Sequence, residues 1–220
     1  MKQLKIITIL CIVSVIINGC CITRPNCNPD GGNFIYGPDL SYRSSKFTGS
    51  DARKEDTKRL GSIGLGGYIH WIFCEDYPEL GFLSGLYYNQ HGVKIDYDSD
   101  DKSKLRLHYL TIPLTFTYLV HNGISVEAGP DLSFLLAAKE KNTFMGQTET
   151  YDFKDETKNF QFGYNIAVSY LHEPTGLGGF VRWNGGLTKV RTSDTNNKIY
   201  NGGFSIGARY RINHLFYIGN

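Results

Sequence analysis

Apolar and polar residues alternate with a period of two along most of this chain, most cleanly over residues 105–138 (LRLHYLTIPLTFTYLVHNGISVEAGPDLSFLLAA). Leu110, Ile112, Leu114, Phe116 and Tyr118 share one face with Ile124, Val126, Ala128, Leu132, Phe134 and Leu136. The other face carries Thr111, Thr115, Thr117, Ser125, Glu127, Asp131 and Ser133. Successive side chains of a strand point to opposite sides, so this pattern predicts two strands, each with an oily and a wet face. His121-Asn122-Gly123 interrupts it, and Asn-Gly accepts the positive φ angles of a tight hairpin turn. Residues 34–43, 61–73, 80–95, 160–170, 177–189 and 198–212 add further strand patterns, roughly eight in all, the even number of an up-and-down barrel.

The segments between these strands alternate long and short. Polar tracts at 44–59, 96–104, 139–159 and 190–197 are long, whereas 74–78, 121–123 and 172–176 are brief. Membrane barrels have short turns at the periplasmic end and longer loops outside, a sorting that a soluble barrel has no reason to show. The predicted fold is therefore all-β: an eight-stranded antiparallel outer-membrane up-and-down β-barrel, apolar face to lipid. The competing fold is a lipocalin-like soluble barrel with an apolar interior. Trp71, Tyr77, Tyr118, Tyr170, Trp183 and Tyr210, read as strand-end residues, suit interfacial aromatic girdles.

Composition narrows the picture. Aromatic residues make up 14% of the 220, and 25 glycines accompany them, which suits strands and tight turns. A net charge of +2 gives no basic stripe for nucleic acid. Lys2 and Lys5 ahead of an apolar run at 6–17 predict a signal peptide over residues 1–19, followed by a periplasmic leader at 20–33 and the barrel domain at 34–220. Cys20 follows Ile17-Asn18-Gly19, which is similar to a bacterial lipobox and makes Cys20 a possible lipid attachment site; ordinary cleavage near Gly19 is the alternative. Cys27 and Cys74 both fall on the periplasmic side and could form a disulfide, with Cys21 as a competitor. No C-x-x-C pair supports zinc, and no cofactor or metal is expected.

Several clusters carry groups capable of chemistry. His70, His91 and His108 with Ser84, Ser133 or Glu127 are the parts a lipid-modifying enzyme would use, but no G-x-S-x-G elbow accompanies them, and the histidines read as turn or interface residues. The run Asp96, Asp98, Asp100, Asp101 lacks the glycine and glutamate of an EF-hand and reads as a solvated acidic loop, with weak divalent binding as the alternative. Arg43, Lys46, Arg53, Lys54, Lys58 and Arg59 read as a basic first loop that could meet the anionic sugars and phosphates of the outer leaflet, with a plain solvated loop as the alternative. The alternation also places Glu127, Arg182, Arg209 and Arg211 inward in the periplasmic third of the barrel, with Asp131 higher as a second acid. A lone buried charge is costly, so Glu127 is expected to contact at least one of the three arginines.

The segments 80–93 (LGFLSGLYYNQHGV), 109–114 (YLTIPL), 126–136 (VEAGPDLSFLL) and the closing 203–212 resemble the porin-like outer-membrane β-barrel domain family of Gram-negative bacteria. The resemblance covers about residues 34–212. It implies the fold and a place in the cell outer membrane, among lipid and lipopolysaccharide, more strongly than a task. An eight-stranded barrel is just wide enough for side chains to fill it. A non-enzymatic structural or interaction role, with long loops for an extracellular ligand or protein partner, is therefore expected first. A narrow pore for small solutes is the alternative, and a lipid-modifying enzyme the further one.

Overall fold

The computed structural model describes residues 34–49, 57–73, 79–96, 102–144, 147–191 and 199–212. Ten strand segments follow one another: β1 (Phe34–Thr48), β2 (Thr57–Ile72), β3 (Leu80–Asp96), β4 (Lys102–Pro113), β5 (Thr115–His121), β6 (Ile124–Phe144), β7 (Gln147–Asp152), β8 (Phe160–His172), β9 (Leu177–Gly186) and β10 (Tyr200–Tyr210). β4 and β5 are two halves of one stave, and β7 is a flap on the end of β6, so ten segments make eight staves. Each stave pairs antiparallel with the next in sequence. β10 then returns to β1, with Asp39 opposite Arg209, and the ring closes. Closure gives every wall strand two partners, which is what removes a sheet edge. Among the described residues no helix is long and apolar enough to cross a membrane; a barrel crosses with strands.

The side chains sort as an inside-out protein. Ile63 (62% exposed), Val168 (53%) and the other large apolar residues of the stripe stand on the outer wall, while Asp39, Thr115, Glu127 and Asn165 are buried inside. This polar interior overturns the lipocalin-like alternative at mid-height. It does not hold along the whole lumen. Phe47, Val93, Leu105, Leu107 and Leu135 form an apolar plug towards the end opposite the short turns, and Ile35, Tyr68, Leu83 and Tyr87 form a smaller cluster towards the other end.

The hairpin at Asn122-Gly123 has φ values of 44° and 81°, the positive pair that a tight turn between twisted strands requires. The polar tracts are shorter loops than their composition predicts. β1 runs on to Thr48 and β2 begins at Thr57; β3 reaches Asp96 and β4 begins at Lys102; β6 continues to Phe144 and folds back as β7, followed by a 3-10 turn at Lys154–Glu156. A strand needs ladder partners, not apolar residues, so the staves continue beyond the oily band as solvated ribbons. The asymmetry between the two ends therefore lies in strand overhang more than in loop length.

Pro113 ends β4, and Leu114 steps out of the ladder while its N–H donates to the Pro130 carbonyl at 2.9 Å. Gly129 makes this step possible: a Cβ there would lie 2.1 Å from the Leu114 carbonyl oxygen. Gly129→Ala should force β5 off β6 and cost at least about 1–3 kcal/mol, as overpacking does. Refolding yield, read as the heat-modifiable compact band on gels, should fall sharply; unchanged yield would show that the step is loosely packed.

Candidate functional site

The polar middle of the lumen is the densest cluster of functional groups among the described residues, and cross-strand register builds it. Glu127 on β6 is opposite Ala167 on β8, and Ala167 is opposite Arg182 on β9. The methyl group between them lets the arginine reach across one stave. Arg182 donates from Nη2 to Glu127 Oε2 at 3.4 Å, and Arg209 on β10 donates from Nη1 to Oε1 at 2.8 Å. One carboxylate thus holds two guanidinium groups, one on each oxygen, with Glu127 itself only 1% exposed. Arg209 Nη2 also lies 3.7 Å from Asp39 Oδ2 across the seam between β10 and β1, and the Tyr87 hydroxyl donates to that same oxygen at 3.4 Å.

Aromatic rings hold the two cations in place. Phe180 lies within 4.6 Å of the Arg182 guanidinium carbon and 4.8 Å of that of Arg209, measured to the ring centroid. Tyr68 lies 5.2 Å from Arg209, and Tyr87 lies 5.8 Å from Arg182. Ring faces attract such cations, and more so where water is excluded. β3, which carries Tyr87, is four staves from β9 and hence directly across the lumen.

Above this layer Asp131 accepts from Asn165 Nδ2 at 2.6 Å and Asn184 Nδ2 at 2.9 Å. It is a second acid in the lumen, satisfied by amides. Arg43 donates to His91 Nε2 at 2.7 Å. Higher still, Asn201 on β10 donates to the Tyr109 hydroxyl on β4, again between opposite staves, at 3.4 Å. The cavity among Arg43, Asn89, His91, Asp131 and Asn201 is only about 20 Å³, room for little more than one water. Below the Glu127–Arg209 pair a larger cavity of about 120 Å³ opens between Ile35, Tyr68, His70, Leu83 and Thr117.

Arg211 sits at the foot of β10, where its N–H donates to the Gly176 carbonyl, and it forms no ion pair with Glu127. Two participants escaped the sequence reading. Asp39 is inward by simple alternation on β1, between outward Pro38 and Leu40. Arg43, taken for a loop residue, lies on the same inner face, because β1 passes straight through Ser44 and Ser45. Lys46 and Lys58 are likewise strand residues, and Arg53 and Lys54 lie outside the described residues.

The histidines also correct the expectation. His70 and His91 point into the lumen, not to turns or the interface: His70 Nε2 is 2.7 Å from Thr117 Oγ1, and His91 is held by Arg43. His108 sits on the outer wall with Tyr88. Ser133 bonds Thr111 at 2.9 Å, and Glu127 is occupied by its arginines. None of these histidines hydrogen-bonds to Ser84, Ser133 or Glu127 among the described residues. Cys20, Cys21, Cys27, Cys74, Tyr77 and the acidic positions 98, 100 and 101 lie outside the described residues.

The profile described as "Outer membrane protein beta-barrel domain" matches residues 32–192. No curated protein matches the chain. Among solved structures the chain is similar to Ail, the attachment invasion locus protein of Yersinia pestis, at 13% identity. That alignment covers 82% of this chain and 99% of Ail, with a TM-score of 0.49. It is also similar to Neisserial surface protein A, at 17% identity over 83% of this chain and 99% of that one, TM-score 0.43. OprG of Pseudomonas aeruginosa aligns at 13% identity over 82% and 96%, TM-score 0.39.

Proposed function

This chain belongs to the outer membrane protein β-barrel domain family, and we propose that within the outer membrane it is a structural and interaction protein with a closed lumen rather than a pore. The observation that carries this reading is the polar lock at mid-height. Glu127, Arg182, Arg209 and Asp39 tie four staves together, and Tyr87 and Tyr109 each meet a residue from the opposite wall. Three acids (Asp39, Glu127, Asp131) and three arginines (Arg43, Arg182, Arg209) balance in formal charge, so the cluster needs no mobile counter-ion. A solute would have to break several of these contacts at once and then pass the apolar plug of Val93, Leu105 and Leu107.

The interaction half of the proposal rests on the overhang. β6 and its flap β7 carry Phe144 and Tyr151, each more than half exposed, beyond the oily band. Ribbons of paired backbone hold such side chains more rigidly than loops would, and ordered aromatic residues suit a docking surface.

The test is electrical. Purified full-length protein, inserted into planar bilayers, should give no steady conductance above that of the bare membrane. Reproducible ohmic openings from the folded wild type would overturn the closed-lumen reading in favour of a narrow pore.

A further inference from the structure

On the outer wall, the residues that face outward change character abruptly at one height. On β4, Leu110 and Ile112 face out below His108, whereas Arg106, Lys104 and Lys102 face out above it; the apolar Leu105 and Leu107 have turned inward. β6 makes the same change with a bulge: its register to β4 slips between His108 and Tyr109. A one-residue slip reverses every later side chain. Lys139 and Lys141 therefore face out while Ala138 and Glu140 face in. Without the bulge the lysines would point into the apolar plug.

The register then aligns these cations across neighbouring strands. Arg106 is opposite Lys139, and Lys104 is opposite Lys141. The second row continues to Lys94 on β3 and Lys58 on β2. Like charges set directly opposite one another on one face of a sheet repel. Among the described residues Asp152 on β7 stands opposite Lys139 and offsets part of this repulsion, without forming an ion pair with it. Glu140 is turned to the inner face, where Ser103 donates to it at 2.9 Å, and Asp152 accepts from the backbone N–H of Lys154. Among the described residues Arg106, Lys139, Lys104 and Lys141 make no ion pair.

We propose that this two-row basic surface binds the phosphate groups of lipid A, the phosphorylated glycolipid anchor of lipopolysaccharide in the outer leaflet. Height and side decide the ligand. The rows begin one outward step above the His108–Tyr88 pair, which tops the apolar wall formed by Leu86, Leu110 and Leu136. That is headgroup level, where anionic lipid attracts basic side chains. The rows also lie at the end away from the short turns, which is the extracellular end. Lipid A places phosphates at that level and acyl chains against the wall below. Arg106 can grip a phosphate with two parallel N–H donors, and the flanking lysines supply point charges. The proposal is independent of whether the lumen conducts.

The test uses the full-length barrel refolded in uncharged detergent and three probes: bisphosphorylated lipid A, the same lipid A with its phosphates removed, and phosphatidylglycerol. Wild type should bind bisphosphorylated lipid A at least about tenfold more tightly than either other probe. R106Q/K139Q should weaken that binding by about tenfold or more, since each basic residue near such a surface is worth roughly a fivefold change in affinity. K158Q/R191Q, which removes the same charge from exposed residues around β8 and β9, should stay within about twofold. R106K/K139R, which keeps the charge, should stay within about threefold, and all variants should retain the compact heat-modifiable form. Equal binding of phosphatidylglycerol would reduce the surface to a general anionic attraction and overturn the assignment to lipid A. An unchanged affinity of folded R106Q/K139Q would overturn the site itself.

Discussion

Replacing Glu127 by alanine should destabilise the folded barrel by about 3–5 kcal/mol, the loss found when one member of a buried ion pair is removed. Glu127 is buried, and both its oxygens are engaged by arginines at 2.8 and 3.4 Å. Without it, Arg182 retains the rings of Phe180 and Tyr87 and the more distant charge of Asp131, and Arg209 retains Asp39 at 3.7 Å and the rings of Phe180 and Tyr68. Stacking on a ring contributes about 0.5–2 kcal/mol and does not neutralise charge. Glu127→Gln keeps the shape and one acceptor but leaves the same charge uncompensated, so it should cost nearly as much. A double-mutant cycle with Arg209→Met should then recover part of the loss, because the orphaned cation is gone. Urea unfolding in phospholipid vesicles, followed by fluorescence of Trp71 and Trp183, measures each corner. A loss below about 1 kcal/mol for Glu127→Ala would mean that water reaches the cluster and the lumen is not sealed there.

Period-two alternation made the outward stripe legible, and Asn122-Gly123 made the hairpin legible, because both are local consequences of strand geometry and turn sterics. The same alternation put Glu127, Arg182 and Arg209 on the inner wall. It could not tell which inward charges would meet, since that depends on which staves become neighbours when the sheet closes. Asp39 and Arg209 are nearly at opposite ends of the chain and become direct partners only at the seam. Arg211, one alternation step beyond Arg209, falls past the last residue of β10 and off the charged layer. Arg43 reads as a loop residue because Ser44, Ser45 and Lys46 look like a loop, whereas a strand above the oily band can be polar outside. The apolar phase switch was written in the chain too. Leu105 and Leu107 are apolar at odd positions, Leu110 and Ile112 at even ones, with His108-Tyr109 between them. What hid its meaning was the β6 bulge, which has no composition signal and shows only in the paired register.

Arginine scanned along the outer face of β8 should trace the thickness of the hydrocarbon. β8 spans Phe160–His172, 13 residues with little overhang, close to the 9–11 tilted residues that cross a membrane core. Its outward side chains, Phe162, Tyr164, Ile166, Val168 and Tyr170, form an unbroken apolar ladder. Ile166 lies at the centre, opposite Ala128 on β6 and Trp183 on β9, with no polar side chain among these outward partners. Ile166→Arg should cost about 2–4 kcal/mol, falling to about 0–1 kcal/mol for Tyr170→Arg at the interface, where the guanidinium can reach water. Gln147→Arg, exposed on the β7 flap beyond the lipid and opposite Phe144, should be neutral to within about 0.5 kcal/mol. Urea unfolding of the three variants in vesicles gives the profile directly. A cost that failed to peak at Ile166 would place that wall in water and return the outward stripe to the ordinary surface of a soluble protein. A peak displaced towards Phe162 would move the hydrocarbon up the barrel, towards the height of the basic rows on β4 and β6.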